Sequence, residues 1–457
     1  MNITVVGGGY VGVITAVCLC EFGFRIYLCE QNQKQLDSLK QSISPSSEPG
    51  VNQLLKKHIN AETLVLSTTF SNFISKSFAV VVTIKPDDNN PNLSNIHSAI
   101  RAIALKLEKN RYTGVLIKTS LPVGACAIIA DNVKFVRPDL KPGEHYDIIS
   151  NPGFLREGVA IHDFMEPNRI LIGLERSSTK SEMLVSKIYK PLEASGVPFI
   201  FSNFETVELI RAASIGFVAT KMAFINEVAD LCERCGANIN TVIKGIALDH
   251  RIGRKALDVS PGFGGSSFPR TIRTLVNAAK AFGLDFHILT STIKSNSTRI
   301  SGIKTKILSL IDASQEKTFP NMISKQVTIL GLSFKPQTGD IRESASIFAI
   351  NDLLHDGNIK VVAYDPMFKP NDTDYEKLPN EIVSNKNFHI AESVYDAVNQ
   401  SDIVVIMTHW NEFRSLNLQK IKELMNKKHG EKPIILDYRN MFSKSEMSMF
   451  NYISQGQ

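Results

Sequence analysis

The chain has 457 residues, 43% of them hydrophobic and 21% charged, with a formal net charge of +6. That length allows two or three domains with their own cores, and the composition is ordinary for a globular protein. The small cationic excess without a dense Lys/Arg tract argues against nucleic-acid binding, and no apolar run reaches the roughly 18 residues of a membrane span.

The N-terminus opens on a short apolar strand, Asn2-Ile3-Thr4-Val5-Val6. It lacks the basic region, apolar core and cleavage site of a signal peptide, so a cytoplasmic location is expected. The strand runs directly into Gly7-Gly8-Gly9-Tyr10-Val11-Gly12, and Val11 to Phe22 reads as an apolar helix ending at Gly23. This is G-x-G-x-x-G between a strand and a helix, the context a dinucleotide site requires. A second strand, Phe24 to Cys29, ends at Glu30, about twenty residues past the glycines. A carboxylate there can bind both ribose hydroxyls and repels a 2′-phosphate, so NAD is the expected cofactor rather than NADP.

Further β-branched runs follow at Phe78 to Thr83, Thr113 to Ile117 and Asp147 to Ser150, separated by helical stretches. They predict a mostly parallel sheet covered on both faces, with ligands at the carboxyl ends of its strands. Those ends carry Thr83 to Pro86, Thr119-Ser120-Leu121-Pro122, and the run Asn151 to Gly158. From Asn203 to Cys235 there is no proline, and apolar residues recur near helical spacing. One helix of that length would be roughly 50 Å long and would link two domains or form a dimer interface. The alternative is two helices broken near Gly216.

The stretch Ser260-Pro261-Gly262-Phe263-Gly264-Gly265-Ser266-Ser267-Phe268-Pro269-Arg270-Thr271 comes next. Its glycines let the backbone approach a ligand closely, and Pro269 suits the first turn of a helix, whose free N–H groups attract phosphate. On composition alone the same stretch is equally a plain turn. Helical segments continue to about Leu310, followed by a polar stretch around Gln315 to Lys325. A second βα series then runs through Val327 to Gly331, Val361 to Tyr364, Ile403 to Met407 and Ile434 to Asp437. It has no G-x-G-x-x-G, so a different nucleotide is expected there.

Six cysteines are present, and Cys232-x-x-Cys235 has the spacing of a redox or zinc pair. It lies inside the helical pattern with no second pair or His cluster beside it, so it reads as two partly buried thiols rather than a metal or redox site.

Gly-Phe-Gly-Gly-Ser-Ser-Phe-Pro-Arg-Thr, from Gly262 to Thr271, resembles the active-site loop of the UDP-glucose 6-dehydrogenase family, written GFGGSCFPKD. The runs from Thr119 and from Asn151 resemble that family's STVPVG and NPEFLREG segments. Further matches include Glu208-Leu209-Ile210-Arg211, Phe224-Ile225-Asn226-Glu227, Arg251-Ile252-Gly253, Gly331 to Lys335, Asp340 to Ser344, Thr408 to Phe413 and Asp437 to Asn440. The resemblance spans nearly the whole chain. It implies two Rossmann-like doubly wound α/β domains joined by a long central helix. The expected parts are an NAD-binding domain (1–202), a helical dimerisation domain with the active-site loop (203–312) and a UDP-sugar-binding domain (313–457).

The resemblance also implies a reaction. Family enzymes oxidise the sugar 6-hydroxyl twice with two NAD⁺, through a Cys thiohemiacetal and a thioester that is then hydrolysed. A thiolate is nucleophilic near neutral pH, developing oxyanions need Lys and Asn donors, and water attack needs a carboxylate base. Here the Cys falls on Ser267 and the Asp on Thr271. The Glu of NPEFLREG falls on Gly153, the helix Lys and Asn on Arg211 and Ile215, and a Thr on Ser120. A serine hydroxyl is a far weaker nucleophile without an activating base, and the nearest histidine in sequence, His250, reads rather as a polar residue beside Arg251.

Binding positions are better kept. By resemblance Gly7, Gly9, Tyr10, Val11, Gly12, Glu30, Thr83, Pro86, Ser120 and Arg342 hold the cofactor, although Lys85 would either clash with NAD or pair with its phosphates. Phe154, Leu155, Phe263, Gly264, Gly265, Phe334, Lys335 and Arg439 hold the UDP-sugar, UDP-glucose being the expected one. Arg251 reaches it from the other subunit of a homodimer built on the central helix, while an aromatic expected at Ala256 is missing. No metal is implied. The expectation is a UDP-sugar- and NAD-binding protein defective in the two-step oxidation; the alternative is an active NAD-dependent UDP-sugar 6-dehydrogenase making UDP-glucuronate.

Overall fold

The apolar runs form two parallel sheets. The first contains β1 (Asn2–Val6), β2 (Arg25–Cys29), β3 (Leu64–Ser67), β4 (Ala79–Val82), β5 (Thr113–Ile117), β6 (Tyr146–Ser150), β7 (Ile170–Gly173) and β8 (Phe199–Ser202). Their order is β3-β2-β1-β4-β5-β6-β7-β8, with β6 and β7 antiparallel and the other neighbours parallel. The second contains β9 (Lys325–Leu330), β10 (Ile359–Tyr364), β11 (Phe388–Ile390), β12 (Ile403–Ile406), β13 (Ile434–Asp437) and β14 (Asn451–Ser454), in the order β11-β10-β9-β12-β13-β14. In the computed structural model the described residues are 1–86, 93–313, 325–355, 357–370, 377–426 and 432–457. They gather into two units, Met1–Ala213 and Ser214–Gln457, each holding one sheet.

Each sheet explains its own sequence. Strands buried on both faces carry unbroken apolar runs, and β4 and β5 are buried at every position. The helix Tyr10–Glu21 is buried from Gly12 through Cys20 because it packs against β2 and against the helices Val51–Asn60 and Ala160–Met165. It therefore has no polar stripe to reveal its period. In both sheets the strand order reverses at the first strand, β1 or β9, which makes the carboxyl end of that strand the opening of a crevice.

The central helix runs unbroken from Phe204 to Cys235, so the break near Gly216 does not occur. At 1.5 Å per residue its 32 residues span about 48 Å. The Leu289 side chain lies over Gly216, where an added Cβ would stand 3.2 Å from it. The cysteine pair needs correction: Cys232 is buried, but Cys235, a turn nearer the helix end, is exposed. Five strands, β3, β7, β8, β11 and β14, escape the sequence pattern. β8 and β14 are half-exposed, and β11 has only three residues. The polar stretch from Gln315 falls outside the described residues as far as Lys325, which opens β9.

At the carboxyl end of β10, fully buried Asp365 accepts hydrogen bonds from the backbone N–H groups of Leu332 (2.8 Å), Ser333 (2.9 Å) and Met367 (2.9 Å) and from the Trp410 indole (3.1 Å). Burial pushes its carboxyl above the usual carboxylate range despite these donors. Asp365→Ala leaves several buried donors without an acceptor, at about 1–3 kcal/mol each. The expected result is a loss of at least about 3 kcal/mol in urea denaturation; a loss below about 1 kcal/mol would show that the loop finds other acceptors.

Candidate functional site

In the first unit, the carboxyl end of β1 turns sharply into the helix Tyr10–Glu21. Gly7 has φ +108°, and an added Cβ would meet the Ile84 backbone nitrogen at 3.0 Å. A Cβ on Gly12 would stand 1.8 Å from the Gly7 carbonyl oxygen, so the helix seats against the turn only because Gly12 is bare. Gly9 is the N-cap residue, and nothing lies within 4 Å of a Cβ placed there. Thr83 locks the turn from β4, its hydroxyl donating to the carbonyls of Val6 (3.0 Å) and Gly7 (2.8 Å). Glu30 stands where the sequence predicts, at the end of β2. Its two carboxylate oxygens accept from the N–H groups of Gly8 and Asn32, both at 2.8 Å. Sequence reading missed Gln35, whose amide donates to the Gly8 carbonyl at 2.6 Å.

Beside this turn, Pro86 and Ser120 are half-buried and Lys85 is exposed. The Thr119 hydroxyl donates to the Ile84 carbonyl at 2.9 Å and joins the two strand ends. The Asn151–Gly158 run is a loop, held at its start by a residue the sequence analysis also missed. Buried Lys118 donates to Asn151 Oδ1 (3.2 Å) and to the Tyr189 hydroxyl (3.1 Å), with its ammonium over the Phe164 and Tyr189 rings. Its signal was visible, as the one cation immediately following an apolar strand. Further along the loop, Arg211 Nε donates to the Gly153 carbonyl at 2.8 Å, and its guanidinium lies 5.1 Å from the Phe154 ring centre. A Cβ on Gly153 would meet only Leu155, at 3.6 Å, so the backbone there does not require glycine.

In the second unit, the glycine stretch is a buried loop from Ser260 to Gly265 that leads into the helix Phe268–Ala281. Gly264 and Gly265 are required by close approach: an added Cβ would stand 2.2 Å from the Glu343 carbonyl and 2.8 Å from the Phe334 ring, respectively. Gly265 N–H donates to the Arg342 carbonyl at 2.8 Å, and Asn296 clamps both backbone groups of Phe263. The structure thus brings the glycine loop onto two neighbouring segments far along the sequence, Gly331–Lys335 and Asp340–Ser344. Arg439 reaches the same place, donating to the carbonyls of Met407 (2.7 Å) and Phe334 (3.1 Å). Desolvation lowers its guanidinium to about 10, so it stays a cation at neutral pH. Lys335 Nζ lies 5.9 Å from the Phe334 ring centre, and Arg342 pairs with Asp340. Ser267 is the N-cap residue of the following helix and Thr271 lies in its first turn, both half-buried. Among the described residues no imidazole bonds to Ser267. Ile215 sits in an apolar cluster with Ala219, Phe263 and Ile272. Arg251 is exposed and paired with Asp249 at 2.6 Å.

A glycine turn at a sheet's switch point, a carboxylate closing the next strand and a second parallel sheet of the same kind define a dinucleotide-binding α/β protein of the dehydrogenase class. Comparison with known proteins names the family. Residues 1–193 match the NAD binding domain of the UDP-glucose/GDP-mannose dehydrogenase family, 205–298 its central domain and 328–444 its UDP binding domain. The chain is 33% identical over 462 aligned positions to a UDP-glucose 6-dehydrogenase of Rhizobium meliloti (strain 1021), covering 100% of this chain and 99% of that one. It is 35% identical over 461 positions to the Rickettsia conorii protein of the same name, with the same coverage. A UDP-glucose dehydrogenase from Pyrobaculum islandicum has the same fold, with a TM-score of 0.83, 25% identity and coverage of 99% of this chain and 96% of that one. The chain belongs to the UDP-glucose/GDP-mannose dehydrogenase family, and its cofactor is NAD. Among the described residues no helix is long and apolar enough to cross a membrane.

Proposed function

We propose that this protein binds NAD and a UDP-sugar, UDP-glucose first among them, and that it has lost the two-step oxidation of the sugar C6 hydroxyl. What carries this reading is the chemistry of the residues that by resemblance stand at the family's nucleophile, base and oxyanion positions: Ser267, Thr271, Gly153, Arg211 and Ile215. Their surroundings support it. Ser267 has no described imidazole to activate it, and Ile215 is packed as an apolar residue. The space beside Gly153 would take a side chain, so the loss of one there serves no backbone need.

The glycine turn with Tyr10, Val11, Glu30, Thr83, Pro86, Ser120 and Arg342 would hold NAD, which when bound supplies a hydride acceptor. Phe154, Leu155, Phe263, Gly264, Gly265, Phe334, Lys335 and Arg439 would hold the UDP-sugar. Arg439 would meet a phosphate through N–H groups not spent on the backbone. The reading includes a cytosolic location and the division 1–202, 203–312 and 313–457. A second reading, an active dehydrogenase making UDP-glucuronate, is favoured by the names of the relatives that match over the full chain. Calorimetric titration and product analysis with UDP-glucose and NAD⁺ decide between them. Binding without turnover supports the first, and sustained UDP-glucuronate formation establishes the second.

The same reading includes a homodimer. Phe217, Phe224 and Leu231 repeat every seven residues along the central helix and are 69%, 57% and 62% exposed. A seven-residue apolar repeat keeps its seam on one side of a helix and suits a second helix. Phe224→Asp is expected to convert the dimer to a monomer by light scattering. A wild-type protein monomeric at micromolar concentration would sink the dimer.

A further inference from the structure

We propose that Glu48 is a positioning residue that ties the Asn151–Gly158 loop to the first turn of the cofactor helix and so couples the two ligand sites energetically. The inference rests on the binding reading above. Glu48 is 6% exposed and lies just ahead of the helix Val51–Asn60, whose Val51 N–H donates to its carbonyl at 3.3 Å. Its Oε2 accepts from Gly158 N–H and its Oε1 from Ala160 N–H, both at 2.6 Å. The Tyr10 hydroxyl, on the residue that opens the helix Tyr10–Glu21, points at Oε2 from 3.5 Å. One carboxylate therefore joins the end of the loop and the start of the helix Ala160–Met165 to the residue that opens the helix Tyr10–Glu21.

The loop it holds is a strap with two pinned ends. Asn151 is fixed by Lys118 and Tyr189, and Gly158, at φ +81°, is fixed by Glu48. Phe154 and Leu155 lie between them. The Gly158 end shares its acceptor with Tyr10. A ligand that settles Tyr10 thus also settles the exit of the loop, and coupling of this kind acts equally in both directions.

The test is calorimetric titration of wild type and Glu48→Gln with NAD and with UDP-glucose, each alone and with the other saturating. Gln keeps the shape but can serve only one of the two amides, since its NH₂ cannot accept. In the wild type, NAD is expected to change the UDP-glucose affinity by at least about fivefold, and in Glu48→Gln by less than about twofold. A variant that keeps the wild-type ratio overturns the proposal, as does a wild type that binds both ligands without coupling. A folded wild type that binds neither ligand defeats the functional reading itself. If Glu48→Gln does not fold, hydrogen exchange on the wild type decides. NAD alone is expected to slow exchange at the Gly158 and Ala160 amides, and unchanged exchange there overturns the proposal.

Discussion

Ser267→Cys is expected to leave the protein without detectable NADH formation from UDP-glucose and NAD⁺. A thiol alone restores a nucleophile, but Thr271 cannot act as a base, Gly153 has no side chain and Ile215 cannot donate. A lost general base costs typically 10²–10⁴-fold and a lost oxyanion donor about 10²–10³-fold. Such groups act as a unit, so returning one of them recovers little. Making Gly153→Glu, Arg211→Lys, Ile215→Asn, Ser267→Cys and Thr271→Asp together is expected to raise the rate at least about 10³-fold over the single variant. Ile215→Asn places an amide in the apolar cluster with Ala219, Phe263 and Ile272, at about 1–3 kcal/mol, so thermal melting is followed in parallel. Turnover to UDP-glucuronate by Ser267→Cys alone would end the defective-enzyme reading, because the remaining substitutions would then be compatible with catalysis.

The second large effect concerns two neighbouring glycines that differ in kind. Gly12→Ala forces a Cβ to 1.8 Å from the Gly7 carbonyl and 2.7 Å from the Thr83 hydroxyl, and both the helix and the turn must shift. The expected result is a lower melting temperature together with NAD affinity reduced at least about hundredfold, or about 2.7 kcal/mol. Gly9→Ala adds a Cβ that meets no protein atom within 4 Å, on an ordinary φ of −68°. Its melting temperature is expected to stay within about 2 °C of wild type while NAD affinity still falls about tenfold, because a methyl group would occupy the approach to the helix N-terminus. Unchanged NAD affinity in Gly9→Ala would mean the cofactor does not lie over that turn.

Much of the architecture is written locally. The strand–glycine–helix–strand–acid series at the N-terminus, the parallel sheets and the long central helix follow from periodicity, β-branched runs and the spacing of glycines, all of which act within a few residues. The half-exposed β14 and the three-residue β11 are invisible by the same logic, since neither carries a long apolar run. Glu48 and Asp365 have nothing local to mark them as more than loop carboxylates. Their roles exist only because the fold carries backbone donors from distant segments onto a single buried acceptor.

By itself, then, the sequence determines the two-sheet class and the cofactor turn, because these depend on local patterning and on residue chemistry. Tertiary structure alone decides that Gly264 and Gly265 are bare to admit Glu343 and Phe334, and that Ile215 belongs to an apolar cluster. It also decides that one carboxylate, Glu48, accepts from the Gly158 and Ala160 amides and stands beside the Tyr10 hydroxyl. Each of these is a contact between residues separated by tens to more than a hundred positions, where close packing and the need to satisfy buried donors act without leaving a local trace.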